Sequence, residues 1–232
     1  MDKKSQIIIT CEHGGNKIPQ QFKKLFVNNA NALATHLGYD IGALEMAKKI
    51  VRKLKCPFVF ETISRLLVEQ NRSRYRKEVF SEFCSNLTIV EKERLLETIY
   101  DSYHDRIYKH LSTANIKKNF VYHFSIHSFT PVLFNRERNA DLGLLYDPSR
   151  KIEKRTAALI AEKLTGTNTG LRVRMNYPYR GASDGFTTTL RKQYREDEYC
   201  GIEIELNQKH FIGKTEIWDS LLKHLPEVIS KF

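Results

Sequence analysis

Cysteine is scarce in this sequence: four in 232 residues (Cys11, Cys56, Cys84 and Cys200), with no two spaced as a C-x-x-C pair. That excludes a disulfide-stapled scaffold and a thiolate zinc cluster. Long apolar runs are also missing. No stretch approaches the roughly 18 residues of a membrane helix. Met1-Asp2-Lys3-Lys4-Ser5-Gln6 leads into the first strand without the apolar segment of an export signal. The expectation is a cytoplasmic protein with free thiols and no membrane partner. With six prolines, eleven glycines and no repeat, low-complexity tract or linker, residues 1–232 read as a single domain.

What the chain does have is positive charge. Thirty-eight Lys and Arg against 27 Asp and Glu give a net +11, with a pI near 9.4. Such a field favours anionic partners, either nucleic acid or a small carboxylate. The basic residues come as scattered pairs (Lys23-Lys24, Lys48-Lys49, Arg52-Lys53, Lys117-Lys118, Arg191-Lys192), many opposite the apolar face of a predicted helix. They describe a solvated basic exterior rather than a nucleic-acid stripe.

Hydrophobic spacing predicts alternating strands and helices. Ile7-Ile8-Ile9-Thr10 is a β-branched run that ends in Cys11-Glu12-His13-Gly14-Gly15-Asn16. A strand feeding a glycine-rich loop is where an open α/β sheet meets its ligand, and glycines allow close approach. Cys11, two residues before His13, resembles a thiol–imidazole pair, although a strand cysteine usually serves as a small apolar residue. Ile41, Leu44, Ala47, Ile50, Val51 and Leu54 predict a helix over 41–55. Asp40 precedes it, either as an N-cap or as a ligand beside His13; spacing alone favours the cap. Phe58–Ile63 predicts a second strand, followed by Glu69-Gln70-Asn71-Arg72-Ser73, where an arginine fork is offered to an anion.

Thr88 and Glu91 have capping-box spacing and open a long helix through Leu95, Leu96, Ile99, Tyr103, Ile107 and Leu111. His104 and His110 on it read as structural or exposed. Phe120–Ile126 predicts a third strand with His123, Ser125 and His127 on one face and a turn straight after His127, at Ser128-Phe129-Thr130-Pro131. A strand over Leu142–Tyr146, a helix start at Asp147-Pro148-Ser149, a helix through Leu164 ended by Gly166, and a strand over Leu171–Met175 follow. Residues 176–185 then read as a flexible substrate-covering loop. Gly201–Leu206 predicts a last strand with Glu203 and Glu205 on one face, solvated or catalytic, before a helix through Ile217–Ile229. The alternation defines an α/β class.

Three chemistries compete for these residues. Gly181 to Gly185 spells G-x-S-x-G, but a serine-hydrolase elbow needs a strand running directly into the serine. Here Pro178 and several further residues separate the strand from Ser183. A noncatalytic nucleic-acid-binding protein is kept in view by Tyr75, Tyr177 and Tyr179, which would equally line a small-molecule pocket. Metal-assisted hydrolysis needs nitrogen or oxygen ligands, a water and a base. His13, His127 and one carboxylate would supply the ligands.

The sequence resembles the N-formylglutamate amidohydrolase family, in its shorter, broader branch. The resemblance runs from near residue 7 to near residue 208, through Cys11-Glu12-His13-Gly14-Gly15-Asn16 with Ile18-Pro19, Asp40-Ile41-Gly42-Ala43, Ser64-Arg65-Leu66-Leu67-Val68 and Asn71-Arg72-Ser73. It continues through His127-Ser128-Phe129-Thr130-Pro131, Asp141-Leu142-Gly143-Leu144-Leu145, Asn176-Tyr177-Pro178-Tyr179 with Gly181, Asp184-Gly185, and Gly201 through Gln208.

What the resemblance implies is a single-domain, phosphorylase/hydrolase-like three-layer α/β fold with a mixed central sheet flanked by helices, distantly related to zinc carboxypeptidases and aspartoacylase. It implies one bound Zn2+ and release of formate from N-formyl-L-glutamate in histidine catabolism, leaving L-glutamate. The partner would be a small anionic N-acyl amino acid. Relatives order their parts as histidine, Asn-Arg, histidine, late glutamate, matched here by His13, Asn71-Arg72, His127 and Glu205. Their H-x-x-E motif is His13-Gly14-Gly15-Asn16 in this chain, so Asp40 is expected as third ligand, with Asn16 or Glu12 as alternatives. Glu69 stands where an aspartate is expected. Glu205 is the implied general base, and Asn71, Arg72, Asn176, Tyr179 and Arg180 the implied substrate-binding set.

Overall fold

Apolar residues at alternate positions place the strands back to back with helices. The computed structural model describes residues 4–167 and 170–232; residues 1–3 of the expected N-terminal lead lie outside the described residues. Among the described residues eight strands are formed: β1 (Ser5–Cys11), β2 (Phe58–Phe60), β3 (Phe120–Phe129), β4 (Val132–Leu133), β5 (Arg136–Glu137), β6 (Leu142–Leu145), β7 (Val173–Met175) and β8 (Tyr199–Asn207). Six make one sheet in the order β2-β1-β3-β8-β6-β7, while β4 and β5 form a separate hairpin. All neighbouring pairs in the sheet are parallel except β6 against β8. The expected mixed central sheet is present.

The helices are α1 (Ala30–Leu33), α2 (Ala43–Leu54), α3 (Ile89–Leu95), α4 (Ser102–Thr113), α5 (Lys151–Thr165), α6 (Phe186–Gln193), α7 (Gln208–Ile212) and α8 (Glu216–Ile229). On one face, Ile9, Phe124, Ile126, Ile202 and Ile204 pack against buried residues of α2, α5 and α8 such as Met46, Ile160 and Leu225. On the other, Ile8, Val121 and Tyr199 meet Tyr103, Ile107 and Leu111 of α4 and Phe186 and Leu190 of α6. Each large apolar side chain so buried contributes about 1.5–3 kcal/mol.

This second face changes character along its length. Register aligns Ile8 with His123 and Gly201, then Thr10 with Ser125 and Glu203, and finally His127 with Glu205. The rows pass from apolar to polar toward the carboxyl ends of β1, β3 and β8, where α/β sheets bind ligands.

Several boundaries differ from expectation for local reasons. The helix expected over 41–55 starts at Ala43 because Gly42 adopts a left-handed φ of 86°. Asp40 is therefore not its N-cap. The second strand stops at Phe60, and Ile63 forms only a lone bridge with Lys17. The Thr88 capping box forms, but a π-helical stretch, Leu96–Asp101, separates α3 from α4. β3 continues through His127 to Phe129, so His127 lies within the strand rather than before a turn. Asp147 folds back on Ser149 instead of opening α5, and β6 and β7 are shorter than read. Helix α6 was not expected: its three consecutive threonines disfavour helix, and burial of Phe186, Thr187 and Leu190 holds it. Among the described residues no helix is long and apolar enough to cross a membrane.

His104 is buried rather than exposed. Its Nε2 lies 3.0 Å from the Gln70 carbonyl, its ring packs against Tyr100 and Phe186, and burial pushes its pKa down to about 4. The unfolded chain takes up a proton at this histidine below pH 6.5, while the folded chain refuses it until about pH 4. Its contribution is thus intact above pH 6.5 and lost as the pH falls through that window, by about 3 kcal/mol. His104→Gln should consequently lose less stability than the unsubstituted protein between pH 7 and pH 4, read from urea midpoints. Parallel loss in both proteins would refute this.

Candidate active site

The turn after β1 and the end of β3 bring two imidazoles together edge to face, their ring centroids 5.0 Å apart. Asp40 joins them because its backbone N–H donates to the His13 carbonyl at 2.9 Å. Its Oδ2 lies 3.3 Å from His13 Nδ1 and 2.8 Å from His127 Nδ1, and accepts from Ser128 N–H at 3.3 Å. Ligand atoms from His13, Asp40 and His127 all fall within 4.8 Å of one another, and all three residues are buried. Two imidazole nitrogens and a carboxylate oxygen are a donor set that suits a divalent transition metal.

The outer nitrogens are also engaged. His13 Nε2 bonds Glu69 Oε1, which accepts Asn71 N–H as well. His127 Nε2 is 2.8 Å from Ser125 Oγ and 3.2 Å from Glu12 Oε2. Outer carboxylates of this kind fix the ring and make the inner nitrogen a better ligand. Burial opposes charge at His127, but hydrogen bonds to Asp40 and Glu12 outweigh it and raise its pKa well above the ordinary value. Burial likewise opposes ionisation of Asp40, and His13 and His127 overcome it to hold the carboxyl well below the usual range. Burial and Arg65 oppose charge at His13 too, but Glu69 and Asp40 outweigh them and raise its pKa as well. A cation bound between the two imidazoles would displace their protons. The residues fit a metal ion.

Glu205 faces the same space from β8, paired in register with His127. Its Oε2 is buried with no hydrogen-bond partner among the described residues. Burial, opposed by His127 but reinforced by Asp40 and Glu203, pushes its pKa up to about 8. The pair Glu203 and Glu205 is therefore buried at the cleft, and the reading of a solvated face is corrected. Gly143 lies across from Glu205 on β6, where an added Cβ would stand 1.8 Å from the Tyr177 carbonyl oxygen and 3.3 Å from Glu205 Cβ. Gly143→Ala should accordingly push the 176–185 segment off the cleft and reduce turnover by at least tenfold, measured as kcat/KM. Unchanged kinetics would show that the close approach is dispensable.

A cavity of about 200 Å³ opens over this centre, with Asn71, Arg72, Tyr179 and Arg180 on its walls. Arg72 Nη1 donates to the carbonyls of Asn71 and Asp184, at 2.9 and 2.8 Å. Asn71 Oδ1 accepts from Phe186 N–H at 2.8 Å. Asn176 is placed differently from expectation. Its Oδ1 accepts from Tyr146 N–H and Gly181 N–H, at 3.1 and 2.9 Å, and it does not line the cavity. It shapes the loop that carries Tyr179 and Arg180. That loop, read as flexible, is stapled again by Arg191 Nη1 on the Gly181 carbonyl.

Of the alternative third ligands, Asn16 is exposed and donates to the Leu33 carbonyl. Glu12 sits behind His127, held by Tyr103 and Ser125 hydroxyls. Asp40 alone of the three faces both imidazoles. The residues that sequence reasoning left without a role are Arg65 and Glu69, and their signal was an i, i+4 pair of opposite charge that reads as a surface feature. Two rival nucleophiles are poorly placed. Ser183 is exposed in a loop, and among the described residues no histidine bonds its hydroxyl. Cys11 is buried, and burial pushes its thiol well above the ordinary pKa. Of the three tyrosines, Tyr179 lines the cleft, while Tyr75 is 83 % exposed and Tyr177 lies under Arg174.

A mixed central sheet flanked by helices, with a buried histidine–aspartate–histidine group at its strand ends beside a carboxyl oxygen that has no hydrogen-bond partner among the described residues, defines a protein with a metal-competent centre. Residues 5–212 match the N-formylglutamate amidohydrolase family, and the chain belongs to that family. In fold it is similar to the gene product Atu2144 from Agrobacterium tumefaciens, at 26% identity and a TM-score of 0.80, over 99% of this chain and 92% of that one. It is also similar to the N-formylglutamate amidohydrolase from Ralstonia eutropha JMP134, at 17% identity and a TM-score of 0.73, over 99% of this chain and 94% of that one. No curated protein matches the sequence.

Proposed function

We propose that this chain is a zinc-dependent amidohydrolase that cleaves N-formyl-L-glutamate, or a close N-acyl amino acid, to L-glutamate and formate. The observation that carries the reading is the convergence of His13, Asp40 and His127 ligand atoms within 4.8 Å of one another, beside Glu205, whose buried Oε2 has no hydrogen-bond partner among the described residues. These three residues would hold the ion, for which zinc is favoured by two imidazoles and a carboxylate. Bound there, it would supply Lewis acidity, a more acidic water and a positive charge that would favour the ionised form of Glu205.

Arg72 and Arg180 would grip the substrate carboxylates at the cleft wall, in keeping with the basic exterior. Glu205 Oε2 would take a proton from the attacking water, whose oxygen bonds to the formyl carbon. The same carboxyl would hand that proton to the amide nitrogen as the C–N bond breaks, so that formate and a free amine leave. Asn71, held rigidly between His127 and α6, would orient the carbonyl. Four free cysteines support a reducing compartment such as the cytoplasm, and the proposed reaction supports a place in histidine catabolism.

Metal analysis of the purified protein, with formate release assayed before and after chelation, tests the reading. About one zinc per chain and activity lost on chelation and restored by zinc are expected, with Ser183→Ala fully active. Turnover that survives exhaustive chelation but disappears in Ser183→Ala would overturn it.

A further inference from the structure

Arg65 is the unexplained charge of this site. It lines the cavity, yet its guanidinium is turned onto the protein. Nε donates to Glu69 Oε2 at 2.8 Å and Nη2 bonds the same oxygen, while Nη1 reaches Asp40 Oδ1 at 3.5 Å. The other oxygen of each carboxylate faces an imidazole: Glu69 Oε1 binds His13 Nε2 and Asp40 Oδ2 lies beside both Nδ1 atoms. His13, Asp40, Arg65 and Glu69 thus form a closed ring of contacts, and its side chains are almost wholly buried except that of Arg65, at 28 % exposure.

We propose that Arg65 is a positioning residue for the metal centre, its fork locking which oxygen of Asp40 and which oxygen of Glu69 is presented to the histidines. This rests on the metal-site reading above. The same cation opposes an incoming metal by simple repulsion, so any benefit it brings to a metal site must come from geometry rather than from charge. Geometry supplies one. A carboxylate held at one oxygen only can rotate about its last bond, and a planar guanidinium engaging two carboxylates removes that freedom where a lysine ammonium, a point charge, does not. Engagement of three guanidinium nitrogens by protein oxygens also separates Arg65 from Arg72 and Arg180, which retain donors for a substrate.

The test measures Zn2+ affinity by competition with a chromophoric chelator, on the full chain carrying Arg65→Lys, Arg65→Gln, Glu69→Gln and the Arg65→Gln/Glu69→Gln pair. Positioning predicts that Arg65→Lys and Arg65→Gln each weaken zinc binding by roughly 10–100-fold. It also predicts that Arg65→Gln costs less zinc affinity in the Glu69→Gln background than alone, because the share of its effect that passes through that carboxylate is already gone while the share through Asp40 remains. Zinc affinity in Arg65→Lys equal to that of the unsubstituted protein, or tighter binding in Arg65→Gln, would overturn the proposal by showing that only charge matters. Since the double variant leaves no orphaned charge of this pair, it keeps the cycle informative if Arg65→Lys folds poorly. If the unsubstituted protein binds no zinc, the metal reading itself falls; if it binds zinc and Arg65→Lys binds it equally tightly, only the role of Arg65 falls.

Discussion

Glu205→Gln should keep its metal and its fold and lose between about a hundredfold and ten-thousandfold in kcat, the range that a positioned general base contributes. Glutamine has the size of glutamate, so the buried space beside His127 stays filled. What it lacks is the capacity to accept a proton from water and return it to the leaving nitrogen. Among the described residues the buried Oε2 has no partner to hold it elsewhere, so that oxygen is free for the transfer. Metal content, thermal stability and kcat are read on the same preparation. A kcat within tenfold of the unsubstituted protein, with the metal in place, would remove Glu205 from the reaction and leave Glu203 as the carboxylate to examine.

The parts of this site that were legible in the sequence are those carried by strand ends. His13 follows a β-branched run, His127 alternates with His123 and Ser125, and Glu205 alternates with Ile204 and Leu206; period two is enough to put such residues on a common face. Which faces meet is decided by register, and the pairing of His127 with Glu205 across β3 and β8 leaves no mark in either segment alone. The fold class was legible for the same reason, since alternating runs of period 2 and 3.6 define α/β. Element ends were less so, because single residues such as Gly42 decide them through a left-handed φ that a composition pattern does not register. Asn176 shows the converse. It lies in a polar loop beside two residues of the cleft wall, yet its side chain closes on backbone amides of Tyr146 and Gly181. Polar loop residues compete for backbone as readily as for ligand.

Asp40 gives the sharpest separation between a local and a long-range role, and Asp40→Asn should distinguish them. Asparagine caps a helix as well as aspartate does. Were Asp40 a cap for α2, the substitution would leave stability, metal content and turnover nearly unchanged. The structure instead puts its Oδ2 between two imidazoles and its Oδ1 toward Arg65. The amide carries no charge, and its NH2 group brings donors to a place where the protein already supplies donors. We expect zinc affinity to fall on the order of a hundredfold or more, beyond the loss from an outer-shell change, with turnover falling alongside. Without metal, His13, His127 and Arg65 would be left facing one another across a neutral side chain. Breaking a buried ion pair at one partner costs about 3–5 kcal/mol, so the metal-free Asp40→Asn protein should unfold at markedly lower urea than the metal-free parent. An unaltered zinc affinity together with an unaltered urea midpoint would return Asp40 to the role its position before a helix first suggests.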